Sequence, residues 1–213
     1  AAVDQRTSVT SPSVALIDYH AGNLTSVKKA LAAVGAKVFV PSAPEELADA
    51  SAVIVPGVGH FDATRALGPA WGDAILQRVG EGRPLFGICL GMQWLYEGSE
   101  EAPDVRGLGV LSGECRLLKA PEGSALKIPH VGWNSIDKSR DASIIEGDES
   151  DAQDYFTHSY VAPITGDTAA WTEHGEAFAS VVQRGQIAGV QFHPEKSGEV
   201  GLQILRNWLR QAP

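Results

Sequence analysis

Three residues have the types and spacing to act together on a carbonyl compound. The first is Cys89, in Pro84-Leu85-Phe86-Gly87-Ile88-Cys89-Leu90-Gly91-Met92-Gln93. An apolar run ends there in Gly-x-Cys-x-Gly, and a helical pattern through Trp94, Leu95 and Tyr96 follows. This is the sequence form of a nucleophile elbow with Cys in place of Ser, and it predicts a side chain exposed above a sheet on a tight strand-to-helix turn. Gly87 and Gly91 lack Cβ atoms, so strand, turn and helix can close on one another. A helix N-terminus just beyond the sulfur suits a thiolate. Taken alone, the pattern also fits a buried structural cysteine in a βα loop.

A cysteine nucleophile needs a base and a group that orients it. Of six histidines, His193 stands out in Gln191-Phe192-His193-Pro194-Glu195-Lys196-Ser197. It ends a strand-like run, with Glu195 two residues on. Residues i and i+2 of an extended chain share a face, and Pro194 biases His193 toward extended geometry. Glu195 can then hold one ring nitrogen and leave the other for sulfur. Taken alone, the pair also fits a surface contact at a strand end. The order nucleophile, His, acid differs from that of the α/β-hydrolases, so this is an elbow on another fold. Attack on a carbonyl creates an oxyanion, which needs preplaced N–H donors. The amide of Leu90 is one candidate, and Val58 in Pro56-Gly57-Val58-Gly59 is another. The glycines around Val58 let its peptide take orientations that other residues resist, although an ordinary Gly-rich turn reads the same way.

The elements that must position these groups follow from periodicity. Val14-Ala15-Leu16-Ile17, Lys37-Val38-Phe39-Val40 and Ala52-Val53-Ile54-Val55 read as strands. A helix carries Leu24, Val27, Leu31 and Val34 and stops at Gly35. Ser42 and Glu45 suggest a capping box for a short helix through Leu47, and residues 71–79 read as helical. Strands alternate with helices over the first hundred residues, which predicts an α/β fold with a mostly parallel sheet flanked by helices. Ligands on such sheets bind at the carboxyl ends of the strands, where both the 56–59 loop and Cys89 fall. From Gly107 to about Val182 the patterns are short and alternating, so this half is antiparallel and β-rich. Arg184-Gly185 turns the chain into a hairpin. A last helix presents Gly201, Ile204, Leu205, Trp208 and Leu209 on one face.

The chain has 213 residues, 44% hydrophobic and 20% charged, with a net charge of −9. That is a globular composition with room for one sizeable core. The acidic balance argues against a nucleic-acid partner, and no apolar run reaches membrane-span length. Residues 1–13 are polar, lack the apolar core of a secretory signal and are expected to form a mobile tail before a single domain over 14–213. The two cysteines, Cys89 and Cys115, can build neither a disulfide framework nor a thiolate zinc site. A reducing, cytoplasmic setting is expected, with no metal and no cofactor, and with Cys115 as a packing residue.

Together, PGVG at 56–59, GICLGMQ at 87–93 and GVQFHPEKS at 189–197 resemble the class I, triad-type glutamine amidotransferases. Pro129-His130-Val131-Gly132-Trp133-Asn134 and Phe156-Thr157-His158-Ser159-Tyr160, with Asp18-Tyr19 and Gly22-Asn23, are similar to the glutaminase subunits of imidazole glycerol phosphate synthase. The resemblance covers essentially all of residues 14–211. It implies that Cys89 attacks the glutamine side-chain amide, that His193 serves as base and then acid, and that Glu195 orients it. It further implies oxyanion amides from Val58 and Leu90. Glutamine contacts would come from Gly59 and Gln93, and from the backbone at His158, Ser159 and Tyr160. Asn23, Trp133, Tyr155 and Lys196 fall where the family meets its partner, a (β/α)₈-barrel cyclase forming a heterodimer. Ammonia passes through that barrel to a ribonucleotide, giving imidazole glycerol phosphate and aminoimidazole carboxamide ribotide in histidine biosynthesis. His20-Ala21 departs from the small or Gly-rich pair common in this loop. Other acceptors, as in anthranilate synthase or pyridoxal phosphate synthase, a stand-alone cysteine hydrolase, and a non-catalytic binding module are the competing readings.

Overall fold

A computed structural model gives the fold and describes residues 10–149 and 151–213. The tail expected over residues 1–13 lies outside the described residues as far as residue 9, and Ser13 already belongs to strand β1 (Ser13–Leu16). Helix α1 (Thr25–Ala33) ends as its glycine predicts. Gly35 takes φ +90°, its N–H donates to Ala32 O, and Ala36 N–H donates back to Leu31 O. That pair of bonds is a Schellman ending, and it satisfies two of the carbonyls a helix terminus leaves open. Strands β2 (Lys37–Phe39) and β3 (Ala52–Val55) follow. The capping box between them does not form. A 3₁₀ turn over Pro44–Asp49 begins after Ala43 instead, and Glu46 rather than Glu45 accepts from the Ser42 N–H. Helix α2 (Gly68–Gly80) starts earlier than periodicity suggests, because Pro69 fits its first turn. Strand β4 (Leu85–Ile88) leads to the short helix α3 (Leu90–Trp94), which stops before Leu95 and Tyr96.

The second half supplies β5 (Gly98–Ser99), β6 (Glu114–Leu117), β7 (His130–Asn134), β8 (Asp137–Lys138), β9 (Asp154–His158) and β10 (Tyr160–Val161). Strands β11 (Thr168–Glu173), β12 (Ala177–Arg184) and β13 (Ile187–Val190) and helix α4 (Gly198–Leu209) complete it. One eight-stranded sheet runs β2-β1-β3-β4-β13-β12-β11-β8. Its first five strands are mutually parallel and the remainder antiparallel. The mostly parallel sheet with a β-rich second half is therefore as expected, and the predicted hairpin is β12–β13.

Period-two alternation sends Val14, Leu16 and Ile54 into one apolar layer and Ala15, Ile17, Val53 and Val55 into the other. Helices α1 and α4 cover the first layer, where Trp208 meets Phe86 with ring centroids 5.5 Å apart. Ile75 of α2 lies in the second. Topology gathers the site. Strands β1, β3, β4 and β13 are neighbours, so the segments after them (17–23, 56–59, 89 and 191–197) emerge side by side at one sheet edge. Register keeps them level, with Val55 and Gly189 both opposite Gly87. The ribbon β7–β9 crosses above this edge, held by His193 N–H donating to Tyr155 O at 2.9 Å.

Candidate active site

The elbow is built by close approach. Cys89 takes φ +53°, ψ −109°, a costly conformation for a residue with a Cβ. Its N–H donates to Val190 O at 2.9 Å, and its carbonyl accepts from Gln93 N–H to start α3. A Cβ on Gly91 would sit 1.8 Å from Val55 O, so only glycine lets α3 lie against the end of β3. The thiol is not exposed above the sheet as predicted. Cys89 is 5% accessible, because β9 roofs the elbow, and its Sγ lies 3.9 Å from Thr157 O. The sulfur instead opens into a cavity of about 300 Å³.

His193 and Glu195 do meet, Nδ1 to Oε1, at 2.7 Å, and both are almost wholly buried. The route differs from the extended one expected. His193 is extended, at φ −105° and ψ 98°, but Pro194–Lys196 form a 3₁₀ turn that curls Glu195 back to the ring. A carboxylate accepts only, so Nδ1 carries the proton and Nε2 faces away from Glu195. Burial works against charge on His193, yet the Cys89 sulfur and the Glu195 carboxylate outweigh it and hold the imidazole well above the usual histidine range. Among the described residues Nε2 has no hydrogen-bond partner, and a proton there would suit a thiolate at Cys89.

The oxyanion candidates are both engaged. Leu90 N–H donates to Gly57 O at 3.2 Å, and Val58 N–H donates to Ala21 O at 2.8 Å. The Gly57–Val58 peptide thus turns its carbonyl toward the elbow and its N–H toward the loop after β1. Gly57 has φ +141°, and a Cβ there would strike the Tyr19 hydroxyl at 1.9 Å. That hydroxyl donates to Pro56 O at 2.5 Å.

The cavity is lined by Gly59, Cys89, Leu90, Gln93, Glu101, Pro129, Thr157, His158, Ser159 and Tyr160. Every residue expected to hold substrate is among them. Glu101 was not foreseen. It comes from an acidic loop without a motif, and only the fold turns it inward, where its Oε2 accepts from Phe61 N–H at 3.2 Å. Burial raises its carboxyl above the usual range. Gln191 was also passed over, although it sits inside the GVQFHPEKS stretch. Its Nε2 lies 3.5 Å from Cys89 Sγ.

The partner-facing candidates are linked through Tyr155 of β9 and through α1. Trp133 is 58% exposed and meets Tyr155 at 5.7 Å between ring centroids. Lys196 Nζ stands 5.9 Å from the Tyr155 ring. Asn23 accepts from Thr25 N–H at the start of α1, and α1 packs against the turn that carries Lys196.

The family model described as glutamine amidotransferase class-I matches residues 15–212. The chain belongs to the class-I glutamine amidotransferases. Relatives of this amidotransferase include proteins named "Imidazole glycerol phosphate synthase subunit HisH". The one from Natronomonas pharaonis is 42% identical over 205 residues, covering 92% of this chain and 93% of that protein. The one from Methanothermobacter thermautotrophicus is 40% identical, covering 92% and 97%. The one from Deinococcus radiodurans is 41% identical, covering 94% of each. Among solved structures, a glutamine amidotransferase superposes with a TM-score of 0.71 at 23% identity, covering 93% of this chain and 97% of its own. PurLQS from Thermotoga maritima superposes with 0.73 at 18% identity, covering 94% and 99%. At those identities the superpositions speak for the amidotransferase fold alone. Among the described residues, no helix is long and apolar enough to cross a membrane.

Proposed function

We propose that the chain hydrolyses glutamine to glutamate and ammonia, as the glutaminase subunit of an imidazole glycerol phosphate synthase in histidine biosynthesis. The observation that carries this reading is the sulfur of Cys89 at the head of a polar cavity, beside a His193–Glu195 pair closed at 2.7 Å. The Cys89 thiolate attacks the side-chain carbonyl carbon and the carbonyl oxygen becomes an oxyanion. His193 gives its proton to the departing nitrogen, which leaves as ammonia, and a thioester remains. Water then attacks the thioester with His193 as base, and the sulfur leaves as thiolate with release of glutamate. Glu195 keeps the ring aligned through both steps. Glu101 is the acidic side chain of the cavity lining, so it suits the substrate's α-ammonium, while Gln93, Gly59 and residues 158–160 supply polar contacts along the side chain.

Several relatives at 40–43% identity carry the synthase-subunit name, which favours this acceptor over anthranilate synthase and pyridoxal phosphate synthase. The partner in this reading is a (β/α)₈-barrel cyclase docked on Trp133, Tyr155, Lys196 and Asn23. Two free cysteines suit the cytoplasm. The test is the Cys89→Ala protein reconstituted with the cyclase. Glutamine-dependent synthesis is expected to vanish while synthesis from added ammonia persists, because Cys89 acts on the amide alone. Appreciable glutamine turnover by that variant overturns the reading. His193→Ala should lose roughly 10²–10⁴-fold, the usual worth of positioned proton transfer, and Glu195→Ala less.

A further inference from the structure

Gln93 in the cavity wall and the buried Gln191 behind it form a chain of side-chain amides whose sense can be worked out from one end. The Tyr160 carbonyl only accepts, so Gln93 turns its NH₂ group to it and donates at 3.0 Å. The second Gln93 N–H donates to Gln191 Oε1, also at 3.0 Å. The Gln191 oxygen is thereby occupied on the Gln93 side, and its NH₂ group is turned to the Cys89 sulfur at 3.5 Å. Flipping either amide would set two acceptors or two donors against each other.

The anchoring carbonyl is itself held. His158 Nδ1 donates to Tyr160 O at 3.0 Å. Burial, then the neighbouring His130, pushes His158 down to about 3, so the ring is neutral and its Nε2 accepts. His130 Nδ1 is the donor to it, at 2.9 Å. His130 is neutral too, and Asn134 Nδ2 donates to its Nε2 at 3.3 Å. Each link from Asn134 on β7 to the sulfur has one donor and one acceptor. The backbone beneath Gln191 is equally fixed, since its N–H donates to Ser180 O at 2.9 Å and the residue is fully buried.

We propose that Gln191 is a catalytic residue: its side-chain N–H donates to the Cys89 sulfur and holds the thiolate ready, its sense set through Gln93 by the Tyr160 carbonyl. The proposal rests on the reading of Cys89 as the nucleophile. A donor to an ionised acceptor makes a stronger bond than a neutral pair, and the dry surroundings strengthen it further. His193 must give up its proton during turnover, whereas an amide keeps its own. Gln191 therefore remains a donor when the thioester breaks and negative charge returns to sulfur.

The experiment compares the full chain with its Gln191→Met variant, an unbranched side chain of similar length without N–H groups. The rate of Cys89 alkylation by iodoacetamide is followed by peptide mapping from pH 5 to 10. The variant's profile is expected to move up by about one pH unit, the worth of one bond to a charged group. In the unsubstituted ¹⁵N-labelled protein, the Gln191 side-chain amide proton should shift with the midpoint of alkylation, and Cys89→Ala should abolish that shift. Superimposable alkylation profiles, with native near-UV circular dichroism in both proteins, overturn the proposal. So does an amide resonance in the unsubstituted protein that is indifferent to the sulfur. Neither measurement uses glutamine or a partner, so failure here leaves the glutaminase reading standing, and failure of Cys89→Ala to lose glutamine turnover leaves this result readable.

Discussion

At the scale of single residues, burial decides what each ionisable group can do. Asp154 is fully buried and, among the described residues, neither carboxyl oxygen has a hydrogen-bond partner. The nearby Ser197 hydroxyl donates to His193 O at 2.7 Å instead. Burial first, and then the charge of Asp148, pushes the Asp154 carboxyl up to about 7. A carboxyl raised on folding contributes stability that is present below its unfolded pKa and lost as pH rises through the folded one. The native chain should therefore lose stability between about pH 4 and pH 7 on this group's account. Asp154→Asn keeps the shape without the charge. It is expected to melt several degrees higher than the parent at pH 8 and to show no such gain at pH 4. A melting difference equal at the two pH values would remove Asp154 as the cause. His130 and His158 act in the opposite direction. His130 is pushed down to about 4 by burial and then by His174, so acid costs stability as pH falls from about 6.5 through that value.

At the scale of elements, the elbow shows how packing sets geometry. Helix α3 is five residues long, too short to persist by propensity, and it exists because β3 and β4 hold it. A Cβ on Gly87 would lie 2.7 Å from Gly91 O and Met92 N, and one on Gly91 would lie 1.8 Å from Val55 O. The obstacles are backbone, which cannot swing aside as a side chain can. Gly91→Ala is accordingly expected to destabilise by about 1–3 kcal/mol, the usual cost of overpacking, and to displace Cys89 enough to lose most glutamine turnover. Urea unfolding and turnover in the assembled complex check both parts. Normal turnover with normal stability would mean that the elbow tolerates a wider strand–helix spacing than this contact allows.

At the scale of the whole molecule, the proposed cyclase would act on the cavity from outside it. The Val58 N–H is held by Ala21 O, in the same 18–23 loop that leads to Asn23. The Gly57 carbonyl takes the Leu90 N–H. In this arrangement neither amide is available to an oxyanion, and the carbonyl repels developing negative charge. Turning one peptide would release both donors, and loss of one such donor costs on the order of 10²–10³-fold in rate. A cyclase that binds the turned state better than the held one shifts the balance by that difference in affinity. The isolated chain is therefore expected to hydrolyse glutamine at least about 10²-fold more slowly than the complex with cyclase and its nucleotide ligand. Steady-state glutaminase rates of the chain alone, with cyclase, and with both additions decide this. Equal rates in all three would show that the peptide is no gate.

Much of this protein is local in origin and could be read from the chain. Strand and helix identities follow from periods of 2 and 3.6 and the end of α1 from Gly35; the His193–Glu195 pairing was legible as two residues of spacing, although a 3₁₀ turn rather than an extended chain makes it. The cavity-lining residues proposed for substrate were legible only through the family resemblance. What the sequence left open is what depends on through-space burial and on donors matched to acceptors. No local pattern says that β9 roofs the elbow and buries Cys89, because β7 and β9 pair only once the chain has closed on itself. Glu101 reaches the cavity from a loop without a motif. The sense of the Gln93 and Gln191 amides, and of the Val58 peptide, is set by carbonyls distant in the sequence: Tyr160 for the amides, Ala21 for Val58. Hydrogen bonds are satisfied by whatever the fold brings within 3 Å or so, and that proximity exists only in three dimensions.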